Sequence, residues 1–584
     1  MEVIPLDDDV PVANDTPEEH TIEPAFTTTE VPVGVSGYKE RAIKFYKAFG
    51  LRFLLVTSMI EHVLQGFVFS GGASGLVGAP IPFLFRDFGL TASRIQVLMT
   101  ICVSPWAMKP LIGILSDAIY VCGYRKVPYI LATTVGAIVC CLCIGLFCPE
   151  SPIAISVLLF FIFLQIAVAD LLIEAKYAEK SNRDSTLSRD IVVYVHLGGH
   201  IGRFFSVLLI GYLIQAMPLR YIYLIPIPFF LALLYPVAQN WIEDHEWQPP
   251  EFNPRMRLTN LLCGMGFYRK HAVPALMTRH RARPLIGMDQ QKISANSRAF
   301  VLALVVGGIS LFNNVIGLFE IGTLPLMISA VVCALAMIAL FFTFIDRRIA
   351  RIMTFVILQN MFSFDLDAGA FFFYTDNVTQ YPQGPHFSIF FYVTVMGMLS
   401  IVLGIVGTLI YMLVMSDWTY RNIFLFTGAF NVLFSVFNIF FFKRLNLEWG
   451  LPDTAFVVGT DALKVITGSL AMMPAQAMMQ GLCPDGIEST VYALLAGTAN
   501  LGGSLSSYQG AYLLDALSIR PNGSHSESAQ FDKLWVAAMI DTLVRLVPLV
   551  FVWFLIPNTA QTDPLLVDSD DTRAEADSGK TYHF

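Results

Sequence analysis

Long apolar runs separated by short polar segments make up most of the chain. A membrane-crossing α-helix needs about 20 consecutive apolar residues, and this length divides the pattern into fourteen predicted helices. Six precede a polar stretch at 240–297, two follow it and six come last: 54–84, 95–115, 127–147, 153–175, 190–214, 220–239, 298–318, 322–345, 352–374, 387–414, 421–442, 454–482, 489–513 and 533–556. The first run is too long for one crossing, and "SGGASGLVGAPIP" within it predicts a helix that bends or unwinds.

The two groups of six predicted helices share short sequence matches in corresponding places. "LGGHIG" begins at residue 197 and "LGGSLS" at residue 501, while "GYRKVPYIL" and "TYRNIFLF" each follow the second helix of their group. Repeats of this kind indicate halves related by an axis along the membrane normal. We therefore predict an all-α polytopic membrane protein of two six-helix halves, 51–240 and 352–556, with an inserted transmembrane hairpin at 298–351.

Composition agrees with this pattern and identifies two polar tails. The 584 residues are 55% hydrophobic and only 14% charged, whereas soluble domains carry about a quarter charged residues. Much of the net charge of -8 comes from acidic residues near the two ends. The first 24 residues lack the basic and apolar regions of a signal peptide. We expect an acidic disordered tail followed by a basic juxtamembrane segment within 1–50, and a second acidic disordered tail at 557–584.

Basic residues predict the orientation of the helices. With the amino terminus in the cytosol, the inner segments hold 23 Lys and Arg residues and the outer loops hold 7. Cytoplasmic loops carry such an excess, so both termini are predicted to be cytosolic. The loop at 241–297 is the most basic segment and is expected to lie on anionic lipid. A nucleic-acid partner is excluded because fourteen spans leave no domain for it.

Glycosylation sequons provide an independent test of this orientation. Asn377-Val-Thr and Asn522-Gly-Ser fall in predicted outer loops, whereas Asn14-Asp-Thr falls on the cytosolic side. We expect Asn377 and Asn522 to be N-glycosylated and Asn14 to stay unmodified. Outward-facing sequons favour the plasma membrane as the site of the protein.

Ionisable residues within the spans are candidates for a transport pathway. Each costs on the order of 2.5–3.5 kcal/mol at a span's centre, so each should face a cavity or a partner. Lys109 and Asp170 lie at nearly the same depth, which predicts an ion pair, and Glu174 shares a helix face with Asp170. The pair has two open interpretations, a purely structural contact or a part of the transport pathway. In the first helix, Glu61 and Gln65 likewise share one face.

The fifth predicted helix carries His196, His200 and Arg203 along one stripe, beside three glycines that allow a neighbouring helix to approach. A metal site would need further ligands that this stretch lacks, so no metal or cofactor is predicted. Arg203 is predicted to bind a carboxylate, either Asp170 or part of a substrate. In the tenth helix of the two halves, Asp461 and Lys464 are three residues apart and are predicted to pair.

The end of the second predicted helix is marked by glycine and by charge. Gly113-Ile-Leu-Ser-Asp117 precedes Gly123-Tyr-Arg125-Lys126, with a longer spacer than the Gly-x-x-x-Asp-x-x-Gly-Arg-Arg/Lys loop of the major facilitator superfamily, which it resembles. This resemblance implies a cytosolic latch in which Gly113 permits close helix contact and Asp117 faces Arg125 and Lys126. Ordinary positive-inside charge is the alternative interpretation.

Four longer segments resemble a family within that superfamily. "SPWAMKPLIGILSDAIYVCGYRKVPYI", "IAVADLLIEAKYAEKS", "FSFDLDAGAFFFYTDN" and "LCPDGIESTVYALLAGTANLGG" are similar to signature segments of the folate–biopterin transporter family. The long inner loop and extra hairpin are most similar to its kinetoplastid pteridine and folate branch. The resemblance implies uptake of folates or unconjugated pteridines, with proton coupling in several members. Some members of that branch carry S-adenosylmethionine instead.

The resemblance gives a role to Asp365 and Asp367, which lie two residues apart in the seventh helix of the two halves. A carboxylate there can accept hydrogen bonds from the amino and ring N–H edge of a pterin, or carry the coupling proton together with Asp170. Capping of a helix break is the alternative role for one of the two.

The sequence therefore predicts a secondary transporter working by alternating access, not an enzyme. A folate or pteridine is the expected small-molecule substrate. S-adenosylmethionine or another nucleoside-like metabolite is the alternative, and a non-transporting receptor or scaffold is the alternative of another class. No ATP-binding motif is found, so ion gradients, with protons as the expected partner, are predicted to drive transport.

Overall fold

The computed structural model describes residues 35–70, 74–181, 185–244, 286–289, 293–294, 297–481 and 488–561. The chain divides into two compact units, residues 1–48 and 49–584. Helix α1, Val35–Phe49, covers the part of the first unit that is described, within the segment predicted to be juxtamembrane. The acidic tails before residue 35 and after residue 561, and most of the basic loop, lie outside the described residues.

The first half is built from helices that are repeatedly interrupted. Its first spanning helix starts as α2 and continues as a π-helix, and its second spanning helix is α4 and α5 joined by a short 3₁₀ turn. The elements are α2 Leu51–Thr57, the π-helix Ser58–Val68, α3 Ile81–Asp87, α4 Ala92–Val103, the 3₁₀ turn Ser104–Trp106, α5 Lys109–Ala118, β1 Ile119–Val121, α6 Val127–Leu142 with a π-helical end Cys143–Phe147, α7 Pro152–Ser181, α8 Ser185–Ala216, α9 Leu219–Ile222 and α10 Ile227–Ala238.

The described residues after α10 form one short strand and then helices. The elements are β2 Ile286–Met288, α11 Ser297–Leu318, α12 Thr323–Phe344, α13 Arg347–Met361, α14 Asp367–Thr375, a π-helix Phe390–Val395, α15 Met396–Ile410 with a π-helical end Tyr411–Met415, α16 Tyr420–Phe442, α17 Leu445–Glu448, α18 Asp453–Gly481, α19 Glu488–Ala516, α20 Ser528–Phe531, α21 Leu534–Val544 and α22 Leu546–Leu555.

Twelve helices in the described part of the chain are long and apolar enough to cross a membrane, and they correspond to twelve of the fourteen predicted spans. The other two predicted spans, 352–374 and 489–513, are helical but less uniform. The first is broken between α13 and α14, and the second is α19, which is rich in glycine, serine and threonine. Both line a central cavity, so their polar residues do not need to face lipid.

Two helix breaks in the first half occur where the sequence supplies glycine or proline. The predicted interruption of the first helix is confirmed, because the π-helix ends at Val68, before the run of glycines. Pro105 lies within the 3₁₀ turn, and Pro110 occupies the second position of α5, where a missing N–H costs nothing. Lys109 is therefore the first residue of a new helical segment within the membrane.

In the described part of the chain the two halves meet mainly through α4 with α19 and α14, α5 with α19, and α8 with α15 and the π-helix before it. The α11–α12 hairpin packs against helices of both halves, namely α4, α5, α13 and α19. Asn314 of α11 donates to Ser104 Oγ at 2.6 Å and accepts from the Tyr508 hydroxyl of α19 at 3.2 Å. A buried asparagine of the hairpin thus links the first half to the second.

Candidate functional site

A cavity of about 900 Å³ lies between the two halves and is lined by both. The first half supplies every positive charge in its wall, and the second supplies uncharged polar groups and one carboxylate. Seven of the eight residues predicted for the substrate and proton pathway line it: Glu61, Gln65, Lys109, Asp170, Glu174, Arg203 and Asp365. The eighth, Asp367, is not among the lining residues.

The predicted pair of Lys109 and Asp170 is brought into direct contact. Lys109 Nζ donates to Asp170 Oδ2, and Glu174 Oε2 lies 3.4 Å from the same nitrogen. Lys109 and Asp170 are 5% and 4% exposed, so bulk water solvates neither charge and each depends on the other. The ammonium group also lies 4.6 Å from the centroid of the Trp106 ring, within cation–π range.

Glu61 and Arg203 extend this charged cluster. Glu61 is 3% exposed, and its carboxyl group lies within electrostatic range of Asp170, Glu174 and Lys109. Arg203 lies within electrostatic range of both Glu61 and Asp170 but forms no ion pair with either among the described residues. Together with Lys109 and Glu174, the cluster contains three carboxyl groups and two cations.

Glycine determines how closely the first spanning helix approaches α8. A Cβ atom at Gly202 would lie 2.2 Å from the carbonyl oxygen of His62, and one at Gly66 would lie 2.8 Å from that of Gly199. Any side chain at Gly202 would therefore push the two helices apart. This close crossing brings Glu61 and Arg203 to the same cavity wall.

The break between α13 and α14 holds Asp365 in a structural role. Its Oδ1 accepts from the backbone N–H of Asp367 at 2.9 Å, and its Oδ2 accepts from Ser507 Oγ at 2.7 Å. A Cβ atom at Gly510 would lie 1.7 Å from the carbonyl oxygen of Asp365, so α19 can pass the break only with glycine there. Asp365 thus caps the start of α14, as the alternative interpretation expected.

Asp367 belongs to a different polar cluster inside the second half. It lies within electrostatic range of Lys464 and Asp461 of α18. The predicted pairing of Asp461 with Lys464 is confirmed at 3.5 Å, and Lys464 Nζ also donates to Asn438 Oδ1 at 2.5 Å. Asp365 is also an electrostatic neighbour of Asp367, but of the two only Asp365 lines the cavity.

Several cavity residues carried no signal strong enough to single them out from the sequence. Trp106 is one of them, although it lies three residues before Lys109. Gln476 of α18 and Asn500 and Ser504 of α19 are others, and Asn500 Nδ2 donates to the backbone oxygen of Trp106 across the two halves at 3.3 Å. The serine-rich run "GGSLSS" at 502–507 was the available signal, since small polar residues are typical of helix interfaces.

The predicted latch has partners that the sequence did not indicate. Arg125 pairs with Asp289 at 2.7 Å, and one Asp244 oxygen accepts from the backbone N–H groups of Arg125, Lys126 and Val127. Strands β1 and β2 are antiparallel and bring Asp289 to this position. Both ends of the long loop are thereby attached to the connection between α5 and α6.

The structure gives weaker support for the predicted roles of the other latch residues, Asp117, Lys126 and Gly113. Burial lowers the pKa of Lys126, and the nearby Asp117 carboxylate opposes this shift. A Cβ atom at Gly113 would meet Leu171 and Ala493 at 3.6 and 3.7 Å, which is ordinary van der Waals contact. Packing in this conformation does not require glycine at that position.

An unpredicted clamp joins the halves on the side of the predicted outer loops. Arg86 of α3 donates to Asp376 Oδ1 and Gln380 Oε1, each at 2.8 Å, and to Thr375 Oγ1 at 3.2 Å. Burial raises the pKa of Asp376 to about 7, and Arg86 opposes this shift while the nearby Glu527 carboxylate adds to it. This group of contacts, centred on Arg86 and Asp376, is called the outer clamp below.

Both predicted glycosylation sequons lie in loops beside the outer clamp. Asn377 Oδ1 accepts from Thr379 Oγ1 at 2.6 Å, and Asn522 Oδ1 accepts from the backbone N–H of Ser524 at 3.1 Å. Gln380 Nε2 in the clamp donates to the backbone oxygen of Gly523 at 2.6 Å, joining the two loops. The sequons therefore share one end of the molecule, as their predicted common side requires.

Solved transporter structures share this fold at low sequence identity. The crystal structure of a peptide transporter POT in complex with sulfate aligns with a TM-score of 0.52 at 14% identity, over 89% of this chain and 96% of that one. A mutant of the nucleoside transporter NupG aligns with a TM-score of 0.52 at 10% identity, over 85% and 98%. These likenesses establish the fold, an all-α membrane transporter architecture.

Relatives with similar sequences carry transporter names, not enzyme names. "Probable folate-biopterin transporter 2" of Arabidopsis thaliana is 25% identical over 519 residues, 87% of this chain and 84% of the relative. "Folate-biopterin transporter" of Synechocystis is 30% identical over 154 residues, 26% and 30% of the two chains. "Folate transporter 1" of Plasmodium falciparum is 24% identical over 197 residues, 32% and 37% of the two.

A family model matches residues 71–577, which is most of the chain and includes the first half from α3 onward, the hairpin and the second half. Because the match covers well over half of the chain, the chain belongs to the BT1 family.

Proposed function

We propose that the protein is a secondary transporter that moves a folate or an unconjugated pteridine across a membrane by alternating access. One observation carries the proposal: a cavity of about 900 Å³ between two helical halves is lined by buried charges that no lipid-facing surface could hold. The names of the BT1 relatives supply the substrate class.

Alternating access requires contacts between the halves that can break on one side at a time. The outer clamp joins α3 of the first half to the loop after α14 of the second. Asn500 and Trp106 join the halves beside the cavity. The clamp is expected to open when the cavity faces the side of the predicted outer loops.

The charged wall suits a substrate with both a carboxylate and a flat ring. Arg203 has an unpartnered Nε and lies on the cavity wall, which makes it the group expected to bind a folate carboxylate. The Trp106 ring, already held by Lys109 on one face, offers an aromatic surface to a bicyclic ring.

Proton coupling is part of the proposal and is assigned to the Asp170–Glu61 pair. Asp170 is the predicted proton carrier that is bonded to Lys109, and Glu61 lies within electrostatic range of it. Loss of the proton from this pair would leave three carboxylates against two cations, so proton release and substrate binding would be linked electrostatically. Asp365 is bound on both oxygens and is expected to act as a cap instead.

Uptake by purified protein in proteoliposomes tests the proposal. Labelled folate, biopterin and S-adenosylmethionine are each supplied with and without an inwardly directed proton gradient. Saturable folate or biopterin uptake that the gradient stimulates is the expected result, and Asp170→Asn is expected to abolish the stimulation. Asp365→Asn and Asp367→Asn are expected to keep it. No saturable uptake of folate or biopterin by the unaltered protein would refute the substrate class.

A cationic metabolite such as S-adenosylmethionine is the second candidate, because the cavity wall carries four carboxyl groups and two cations. Saturable uptake of this compound alone would favour it. We further propose that the protein resides in the plasma membrane with cytosolic termini and glycans at Asn377 and Asn522. Protease protection and glycosidase treatment of intact cells test this arrangement.

A further inference from the structure

Five polar atoms of the cavity-lining residues are buried without a hydrogen-bond partner in the described part of the chain: Glu61 Oε1, Gln65 Oε1, Trp106 Nε1, His200 Nδ1 and Arg203 Nε. Buried polar atoms are almost always paired, because an unmade hydrogen bond costs free energy. A concentration of unpartnered atoms on one wall therefore indicates the groups that a ligand would satisfy.

Acceptor atoms and donor atoms among these five lie on different helices of the cavity wall. The acceptors Glu61 and Gln65 are four residues apart on the first spanning helix, so their side chains lie on one face. Arg203 and His200 lie on the neighbouring helix α8, three residues apart. The Arg203 Nε is a donor, and the close crossing of the two helices at Gly202 places acceptors and donor beside each other.

Among the described residues, the carboxylate that the second half contributes to the cavity wall already has hydrogen-bond partners. Asp365 is the one carboxylate that it contributes to the cavity wall, and the Asp367 N–H and the Ser507 hydroxyl occupy its two oxygens. A ligand that presents N–H groups would have to compete with the helix cap for Asp365. At Glu61 Oε1 it would instead supply a missing partner.

Resting on the proposed function, we propose that Glu61 and Gln65 form the specificity site for the heterocycle. Their oxygens accept from an edge with two adjacent donors, an exocyclic amino group and a ring N–H, as in a 2-amino-4-oxopyrimidine ring. Arg203 then faces an acceptor or carboxylate on the other side of the ligand. The first half alone distinguishes the ring, and the second half closes over it.

Two probes separate this assignment from general polarity. Pterin carries an amino group at position 2 of the ring, and lumazine carries a carbonyl there. Two acceptors facing that position pair with the amino group and repel the carbonyl. The unaltered full-length protein in detergent is expected to bind pterin at least about tenfold more tightly than lumazine by isothermal titration calorimetry.

Glu61→Gln is the decisive variant because its amide supplies a donor for the carbonyl of lumazine. The pterin preference is expected to fall to about unity, through weaker pterin binding and stronger lumazine binding. Gln65→Leu, which removes one acceptor, is expected to weaken pterin binding and reduce the preference, and it keeps the test decisive if the first variant fails to fold. Glu150→Gln changes the same residue type in an exposed loop and serves as the matched control.

An unchanged preference in both cavity variants would overturn the assignment of Glu61 and Gln65. Equal weakening of both probes would overturn it as well, since that result indicates a structural role only. Failure of the unaltered protein to bind or transport any folate or pteridine is a different outcome, and it refutes the proposed function itself. Calorimetry needs no proton gradient, so a loss of proton coupling in Glu61→Gln does not obscure the comparison.

Discussion

Replacing Lys109 by methionine removes the cation at the centre of the charged cluster while keeping an apolar chain of similar length. Asp170 loses the ammonium group to which it is bonded, and Glu174 loses a cation at 3.4 Å. Both partners of the Lys109–Asp170 pair are almost completely buried. An uncompensated buried charge costs about 3–5 kcal/mol, and this is the destabilisation expected for Lys109→Met.

The reverse change, Asp170→Asn, is expected to cost less. Glu174 remains beside Lys109 and still neutralises it, so the loss is about 1–2 kcal/mol. The double variant lacks both the Lys109 ammonium group and the Asp170 carboxylate, so neither charge is left buried without the other. We expect its cost to be about 2–3 kcal/mol, against about 4–7 kcal/mol for the sum of the single variants, which gives a favourable coupling energy of about 2–4 kcal/mol between the two positions.

Unfolding of the purified protein by sodium dodecyl sulfate in mixed micelles measures these free energies. Lys464→Met is the matched control, because its ion pair with Asp461 is longer at 3.5 Å and both side chains are 32% exposed. Its cost should stay below about 1 kcal/mol. Additive single-variant costs, or a control as damaging as Lys109→Met, would refute the electrostatic argument.

Three other predictions follow from the structure. Because burial raises the pKa of Asp376 to about 7, the folded protein holds this proton more tightly than the unfolded chain; the stability it contributes is present at acidic pH and is lost as the pH rises through about 7. The midpoint temperature of thermal unfolding should therefore decrease as the pH is raised from 5 to 8, and Asp376→Asn should make this decrease smaller. An equally large decrease in the variant would contradict the assignment. Arg86→Ala should loosen the outer clamp, raising the labelling rate of a cysteine introduced at the cavity wall by a membrane-impermeant reagent, whereas an unchanged rate would show that the clamp does not limit access. Asn377→Gln and Asn522→Gln should each increase electrophoretic mobility by one glycan, and a mobility that glycosidase treatment does not change would place both loops on the other side of the membrane.

Apolar periodicity was sufficient to locate most of the membrane helices. Twelve of the fourteen predicted spans have matching helices, since each run had to be about as long as the hydrocarbon core. The length of the first apolar run also predicted that its helix is broken, because residues 54–84 are too many for one crossing. The pairing of Lys109 with Asp170 was predicted because both residues lie at nearly the same depth in the membrane. Their depth could be estimated from the sequence because charged residues mark where the helices end.

Contacts between distant segments could not be read in this way. The partners of Arg86 lie about 290 residues away, at Thr375, Asp376 and Gln380, and no local pattern connects them. Arg125 was expected to face Asp117, yet it pairs with Asp289 beyond the long loop. Assignment of the chain to the kinetoplastid branch remains a prediction.

The sequence by itself determined that the chain crosses a membrane many times and which charged residues must avoid lipid, because the cost of an ionised group in hydrocarbon depends only on its position along a span. The tertiary structure alone decided which of those residues share a wall. Asp365 and Asp367 are two residues apart, yet of the two only Asp365 lines the cavity, whereas Glu61 and Asp170 come from different helices and both line it. Helix crossing at Gly202 and the path of the broken segments set those distances, and both depend on packing between helices remote in sequence.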